Sequence, residues 1–143
     1  MSLSNYLENQ LITHIFRSGT FSKPTTVAVA LLTAAPSDTS TGQFSLTDGT
    51  EVANANGYAR VNLGAPSDSD WSVPSTGTVS NSAAITFPTA TGSWGDISHV
   101  ALVTSATWNS GNLLAYMELD TAKTIVSGDT VSFGIGQLNF ALD

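Results

Sequence analysis

Hydrophobic positions recur at two different periods along this chain. Over residues 4–19, SNYLENQLITHIFRSG, the residues Leu7, Leu11 and Ile15 continue a stripe begun by Leu3 at roughly 100° per residue, and Ile12 and Phe16 widen it. Gln10, Thr13 and Arg17 fall opposite, so the spacing predicts one amphipathic helix over about residues 4–18. Asn5 with Glu8 three positions on has the form of a capping pair, and Ser4 is an alternative N-cap. Arg17 suits the negative end of the helix dipole, and Gly19 can supply a left-handed residue that ends the helix. So short a helix is marginal alone in water, so its stripe must pack on something. The expected cover is the sheet of its own chain or a neighbouring subunit, with Ile12 and Phe16 buried within one subunit or between two.

From residue 25 the period changes to that of strands. Residues 25–33, TTVAVALLT, are apolar on both faces, with Val27, Val29 and Leu31 on one and Ala28, Ala30 and Leu32 on the other, which predicts a buried strand. A loop over residues 34–50 follows, with Phe44 and Leu46 placed to tie it down. Asn56 and Gly57 signal a turn into a strand, GYARVNLG. Residues 65–78 form a polar excursion around Trp71. Strands are expected over residues 79–88, interrupted by Ser-Asn-Ser, and over 97–104 and 113–119, with a hairpin turn at residues 108–112 between the last two. Turns at residues 120–121 and 127–129 bracket a short strand, KTIV. In the last segment the apolar residues change parity, from Val131, Phe133 and Ile135 to Leu138, Phe140 and Leu142. A strand cannot change faces without an extra residue, so a bulge or kink is expected near Gly136. One helix followed by seven or eight short strands predicts a mainly β, antiparallel β-sandwich over about residues 25–142, within a single domain spanning 1–143; a closed barrel is the alternative.

Composition narrows the partners. Only 10% of residues are charged, against 41% hydrophobic, so polarity comes from Ser, Thr, Asn and Gly, as in a turn-rich sheet protein. The net charge is −7, and the four cations, Arg17, Lys23, Arg60 and Lys123, are scattered, which speaks against nucleic acid and against anionic membrane as partners. The absence of cysteine excludes disulfides and thiolate chemistry. No apolar run has the length of a membrane span, and no signal-peptide pattern opens the chain, which predicts synthesis in the cytosol.

Candidate chemistry is sparse. His14 and His99 are the two histidines, one on the helix and one in a strand, and neither lies in a metal-ligand spacing. Gly134 and Gly136 begin like a dinucleotide fingerprint but lack its last glycine and its helix, and read as sheet structure. Asp68 and Asp70 resemble the start of a calcium loop without its glycine and glutamate, so they read as a solvated acidic loop. No GxSxG elbow is present. The chain is therefore read as a non-enzyme, with no catalytic residues, no cofactor and no metal. Trp71, Trp94 and Trp108 each sit beside a turn. Trp94 is expected to cover the core, whereas Trp71 and Trp108, with Ile12 and Phe16, are the candidates for a protein interface.

Several stretches together resemble a family of small tailed-phage virion proteins labelled tail fibre, head decoration or capsid cement protein. They are the helix segment, VAVALLTAAPSD (27–38), GYAR (57–60), SNSAAITFP (80–88), GSWGDISHVAL (92–102), GNLLAYMEL (111–119), AKTIVSGDTVSF (122–133) and LNFALD at the end. The resemblance implies a structural protein of the virion, made in the bacterial cytoplasm. A compact chain without heptads or fibrous repeats suits a capsid cement or decoration protein bound to the major capsid protein as a small homo-oligomer, a dimer or trimer. The alternative is a tail fibre or tail-tip module that binds a host receptor or glycan.

Overall fold

The computed structural model describes residues 2–45 and 49–142. It is mainly β, with antiparallel strands and one helix at the N-terminus. In chain order the elements are β1 (Ser2–Leu3), α1 (Asn5–Phe16), β2 (Val27–Ala34), β3 (Thr50–Glu51), β4 (Val61–Gly64), β5 (Thr78–Ser80), β6 (Ile85–Thr86), β7 (Gly95–Val103), β8 (Leu113–Ile125), β9 (Ser132–Phe133) and β10 (Asn139–Ala141). The main sheet runs β1-β8-β7-β2-β3, with β4 also pairing with β2. Two small ribbons, β5 with β10 and β6 with β9, complete the described pairings, and these described sheets do not close into a barrel.

The strand β2 is the axis of the sheet because both of its faces are apolar. Val27, Val29 and Leu31 enter a large core that also holds Phe87 and Trp94, together with Ile85 of β6 and Phe133 of β9, so this face is covered by the ribbons. Ala28, Ala30 and Leu32 enter a smaller core on the opposite face, beneath Phe44. Phe44 thereby ties down the loop after β2 as its sequence predicts; Leu46 lies outside the described residues. On β7, the residues Ile97, Val100 and Leu102 share the large core in spite of their mixed parity. A register shift between Ile97 and His99 supplies the change of phase.

Two expectations about strands are revised. The segments read as 113–119 and KTIV are one strand, β8, with no turn at residues 120–121 to divide it. Five steps along β8, from Glu118 to Lys123, stand opposite two along β7, from His99 to Ile97, so the slack appears as a wide bulge. The phase flip near Gly136 is a turn between ribbons rather than a bulge within one strand. The Gln137 N–H donates to the Gly134 carbonyl at 3.1 Å, and Gly136 has φ +75°, a conformation that a side chain disfavours. The chain thus leaves β9, paired with β6, and enters β10, paired with β5.

The helix is anchored at its beginning. Ser4, fully buried, is the N-cap: its hydroxyl accepts the Leu7 N–H at 3.3 Å and donates to the Leu113 carbonyl of β8. Its own N–H donates to Leu114 at 3.0 Å, and the Asn5 N–H to Asp38 at 2.8 Å. Gly19 does not take the left-handed role expected of it. The helix ends at Arg17 in extended backbone, and a Cβ on Gly19 would stand 2.4 Å from the Thr13 methyl, so the glycine permits close approach.

This chain's own sheet covers only the first part of the helical stripe. Leu7 and Tyr6 pack on the large core and Leu11 is half-buried, but Ile12, Ile15 and Phe16 are 54%, 66% and 77% exposed. The reason is positional. α1 starts at the β8 edge, and the core beside it is already covered by Trp71 and Phe140, whose rings meet edge to face at 5.3 Å. The later turns of the helix therefore carry their apolar residues into solvent.

Candidate interaction surface

Polar groups buried in the fold serve its architecture. Arg60 and Glu51 form a buried ion pair joined at two points, with Nε to Oε1 and Nη2 to Oε2 both at 2.7 Å. The remaining guanidinium N–H groups donate to the carbonyls of Gly42, Ser105 and Ser110, each at 2.8 Å, so all five donors are used. Tyr58 completes the cluster, donating to Glu51 and accepting the Leu31 N–H, both at 3.0 Å. One cation thus holds together the loop after β2, the end of β3 and the turn between β7 and β8. The sequence signal for this was faint: Arg60 lies two residues beyond Tyr58 in a strand pattern, so both point to one side.

Burial, followed by the nearby Glu51 charge, raises the Tyr58 hydroxyl well above the usual tyrosine value of 10.0. Above pH 10 the unfolded chain releases this proton while the folded chain keeps it. The contribution is therefore intact below pH 10 and is lost as pH climbs towards the raised folded value. Denaturant titrations at successive pH values should show stability declining above pH 10, and Tyr58→Phe should flatten the decline. Tyr116, raised by partial burial and then by its hydrogen bond to Asp38, adds a smaller share of its own.

The structure does not assemble the candidate chemistry into a reactive constellation. His14 Nδ1 accepts the Phe21 N–H at 3.3 Å, whereas His99 lies on β7 with Nδ1 2.8 Å from the Ser98 hydroxyl. Asp70 takes a hydrogen bond from Ser67 at 2.6 Å within its own turn. Gly134 and Gly136 belong to the inter-ribbon turn, held by Asn81. Among the described residues, no group of three His, Cys, Asp or Glu side chains is placed to hold a metal. Nor is any helix among them long and apolar enough to cross a membrane.

The four interface candidates fall in different settings. Ile12 and Phe16 project from the free end of α1. Trp71 is half-buried and forms a wall of an apolar cleft of about 330 Å³ between β1, α1, β8 and β10. Trp108 is half-buried against the large core, and its indole N–H donates to the Val52 carbonyl at 2.9 Å, so its polar edge is committed inside the chain. Trp94 is buried as expected and donates to the Asn56 carbonyl. A wider groove of about 650 Å³ runs between β8 and β9, where Glu118, Asp120, Lys123 and Asp129 rim an apolar floor. The exposed apolar end of α1 and the Trp71 cleft are among the apolar features that packing within the chain leaves open, as are the exposed side chains of Val73 and Ile135.

The family described as Podophage GP4 fiber I protein gp80 matches residues 2–141. The chain belongs to this family. Membership makes it a fibre-type structural protein of a bacteriophage, associated with the virion. No curated protein matches the chain significantly. The match extends from β1 through β10, so the Podophage GP4 fiber I family pattern takes in the helix, the main sheet and both ribbons.

Proposed function

We propose that this fibre-family chain acts by docking onto other protein, as a capsid cement or decoration protein seated on a shell of the major capsid protein. The observation that carries the reading is the apolar surface its own fold leaves open, at Ile12, Ile15 and Phe16, on a chain poor in charge. Bound at many symmetry-related positions, such a unit stabilises an assembled shell by mass action, without chemistry. Purified protein added to shells lacking it should bind and raise the temperature at which they disrupt. Shells that neither bind it nor gain stability would sink the reading.

The second reading, a tail fibre module that binds a host receptor or glycan, is favoured by the family description itself. Two of the three indole N–H groups are turned inward, to Asn56 and Val52, which leaves little of an aromatic, polar platform for a sugar. Binding of the purified chain to host cells, with labelling at the tail in electron micrographs, would favour this second reading over the first.

A further inference from the structure

We infer that the groove between β8 and β9 is a second docking site, which takes an extended, lysine- or arginine-bearing segment of another protein as an added strand on β8. The inference is independent of the docking reading above, because none of the described residues lining this groove belongs to α1.

The main sheet leaves an edge open here. β1 covers β8 only at Ala115 and Tyr116. Beyond them, no described strand pairs with the side of β8 that faces away from β7. The wide bulge adds to the opening, since residues 119–122 have no partner in register on β7 either. Across the groove, β9 pairs only with β6 among the described strands. Backbone N–H and C=O groups left along a strand edge are a template for one more strand. The space beside this edge is floored by apolar residues, Ile97, Leu119, Val131, Phe133 and Leu138. At about 650 Å³ it is roughly four times the size of an apolar cavity that holds a benzene ring, so it admits several side chains from one face of a strand. An extended segment of six residues, about 20 Å long, directs three side chains to the floor and three to the rim.

Charge decides which segment fits. Glu118, Asp120 and Asp129 line the groove with a single cation, Lys123. Glu118 and Asp120 are exposed, and the one ion pair among the described residues is Arg60 with Glu51, so Lys123 is paired with none of the three carboxylates. Asp129 is partly committed, its Oδ2 accepting the Val126 N–H at 3.0 Å. Three carboxylates against one ammonium leave the rim with an excess of negative charge that the chain does not offset. A second copy is a poor occupant, because it carries −7 overall and sets the same carboxylates against their equals. A glycan is poorly served as well: Phe133 is the only aromatic side chain among the described lining residues, and none of the three indoles is there. A basic extended segment supplies what is missing, main-chain partners for the β8 edge and cations for Glu118 and Asp120.

Peptides added to the purified full chain test this without any particle. The probe is an end-blocked, fluorescently labelled hexapeptide of alternating lysine and valine, and its glutamate–valine counterpart is the control. Anisotropy should show saturable binding of the first and none of the second. Affinity should fall about tenfold as salt is raised from about 0.05 to about 0.5 M. Glu118→Lys combined with Asp120→Lys, both at exposed positions, should abolish binding. Should that pair misfold, Glu118→Gln with Asp120→Asn should weaken binding about tenfold, and Lys123→Glu should tighten it about threefold. Hydrogen exchange supplies a readout of strand addition, since the amides of residues 119–122 should exchange more slowly in the complex. The inference is overturned by an absence of saturable binding, by equal binding of the glutamate–valine peptide, by binding that survives the charge reversal, or by no slowing at residues 119–122. Shell binding is scored separately. Shell binding without peptide binding overturns this inference alone, whereas peptide binding without shell binding overturns the cement reading alone.

Discussion

Arg60→Ala is expected to destabilise the fold by about 3–5 kcal/mol, the usual cost of stranding one partner of a buried ion pair. Two effects combine. The Glu51 carboxylate, with its side chain 2% exposed, loses the cation that neutralises it. The carbonyls of Gly42, Ser105 and Ser110 lose their donor as well, and these belong to two loops that Arg60 joins. For a chain of this length the loss corresponds to a fall in melting temperature of about 10 °C or more, readable by calorimetry. Arg60→Lys should recover little, because an ammonium has three donors on one point and cannot span a carboxylate and three carbonyls. The paired variant Glu51→Leu with Arg60→Met separates the two effects. If charge neutralisation dominates, it should be close to wild type; if the loop carbonyls matter as we expect, it should recover only part of the loss. A melting temperature for Arg60→Ala within a degree or two of wild type would refute this account of the cluster.

Asn81→Ala is expected to cost about 2–3 kcal/mol, because it leaves a buried N–H without a partner and opens a void. Asn81 is 1% exposed. Its amide donates to the carbonyls of Ala83 at 2.7 Å and Gly134 at 2.9 Å, while its oxygen accepts the Leu138 N–H at 2.9 Å. Its backbone carbonyl accepts the Gly136 N–H as well. The side chain thus mimics a strand at the point where the chain crosses from one ribbon to the other. Hydrogen exchange gives a specific readout. Protection of the Leu138 and Gly136 amides should fall by more than that of the β2 and β7 amides, because the damage is local to the crossing. Equal loss of protection everywhere would show that Asn81 acts only through global stability. Asn81→Asp should be worse than alanine at neutral pH, since it would aim a carboxylate at two carbonyls.

These two residues show where reading the chain alone falls short. Asn81 appears in sequence as part of a turn-like Ser-Asn-Ser, and Arg60 as one of four scattered cations. Nothing local marks either as buried. Their importance comes from partners 53 and 57 residues away for Asn81, and up to 50 residues away for Arg60. Satisfaction of a buried polar group is a tertiary property, because donor and acceptor are brought together only by the fold.

The candidate surface divides in the same way. The helix, its extent and its apolar stripe are periodic features within 12 residues, and periodicity is local information. The two-faced strand β2 is legible for the same reason, since alternation places Val27, Val29 and Leu31 against Ala28, Ala30 and Leu32 before any partner is known. The change of parity at residues 134–137 likewise announces a break, because a pleat has a fixed period of two. The structural consequence of each signal is not local. An apolar stripe states that a helix needs cover, but not where the cover lies. Only the attachment of Ser4 to Leu113 and Leu114, with Trp71 and Phe140 already over the adjoining core, decided that the tip of α1 would stand in solvent. Sequence determined a mainly β chain of the fibre family with an amphipathic helix at its start. Tertiary structure decided which half of that helix is spent on its own sheet and which half is left for another molecule.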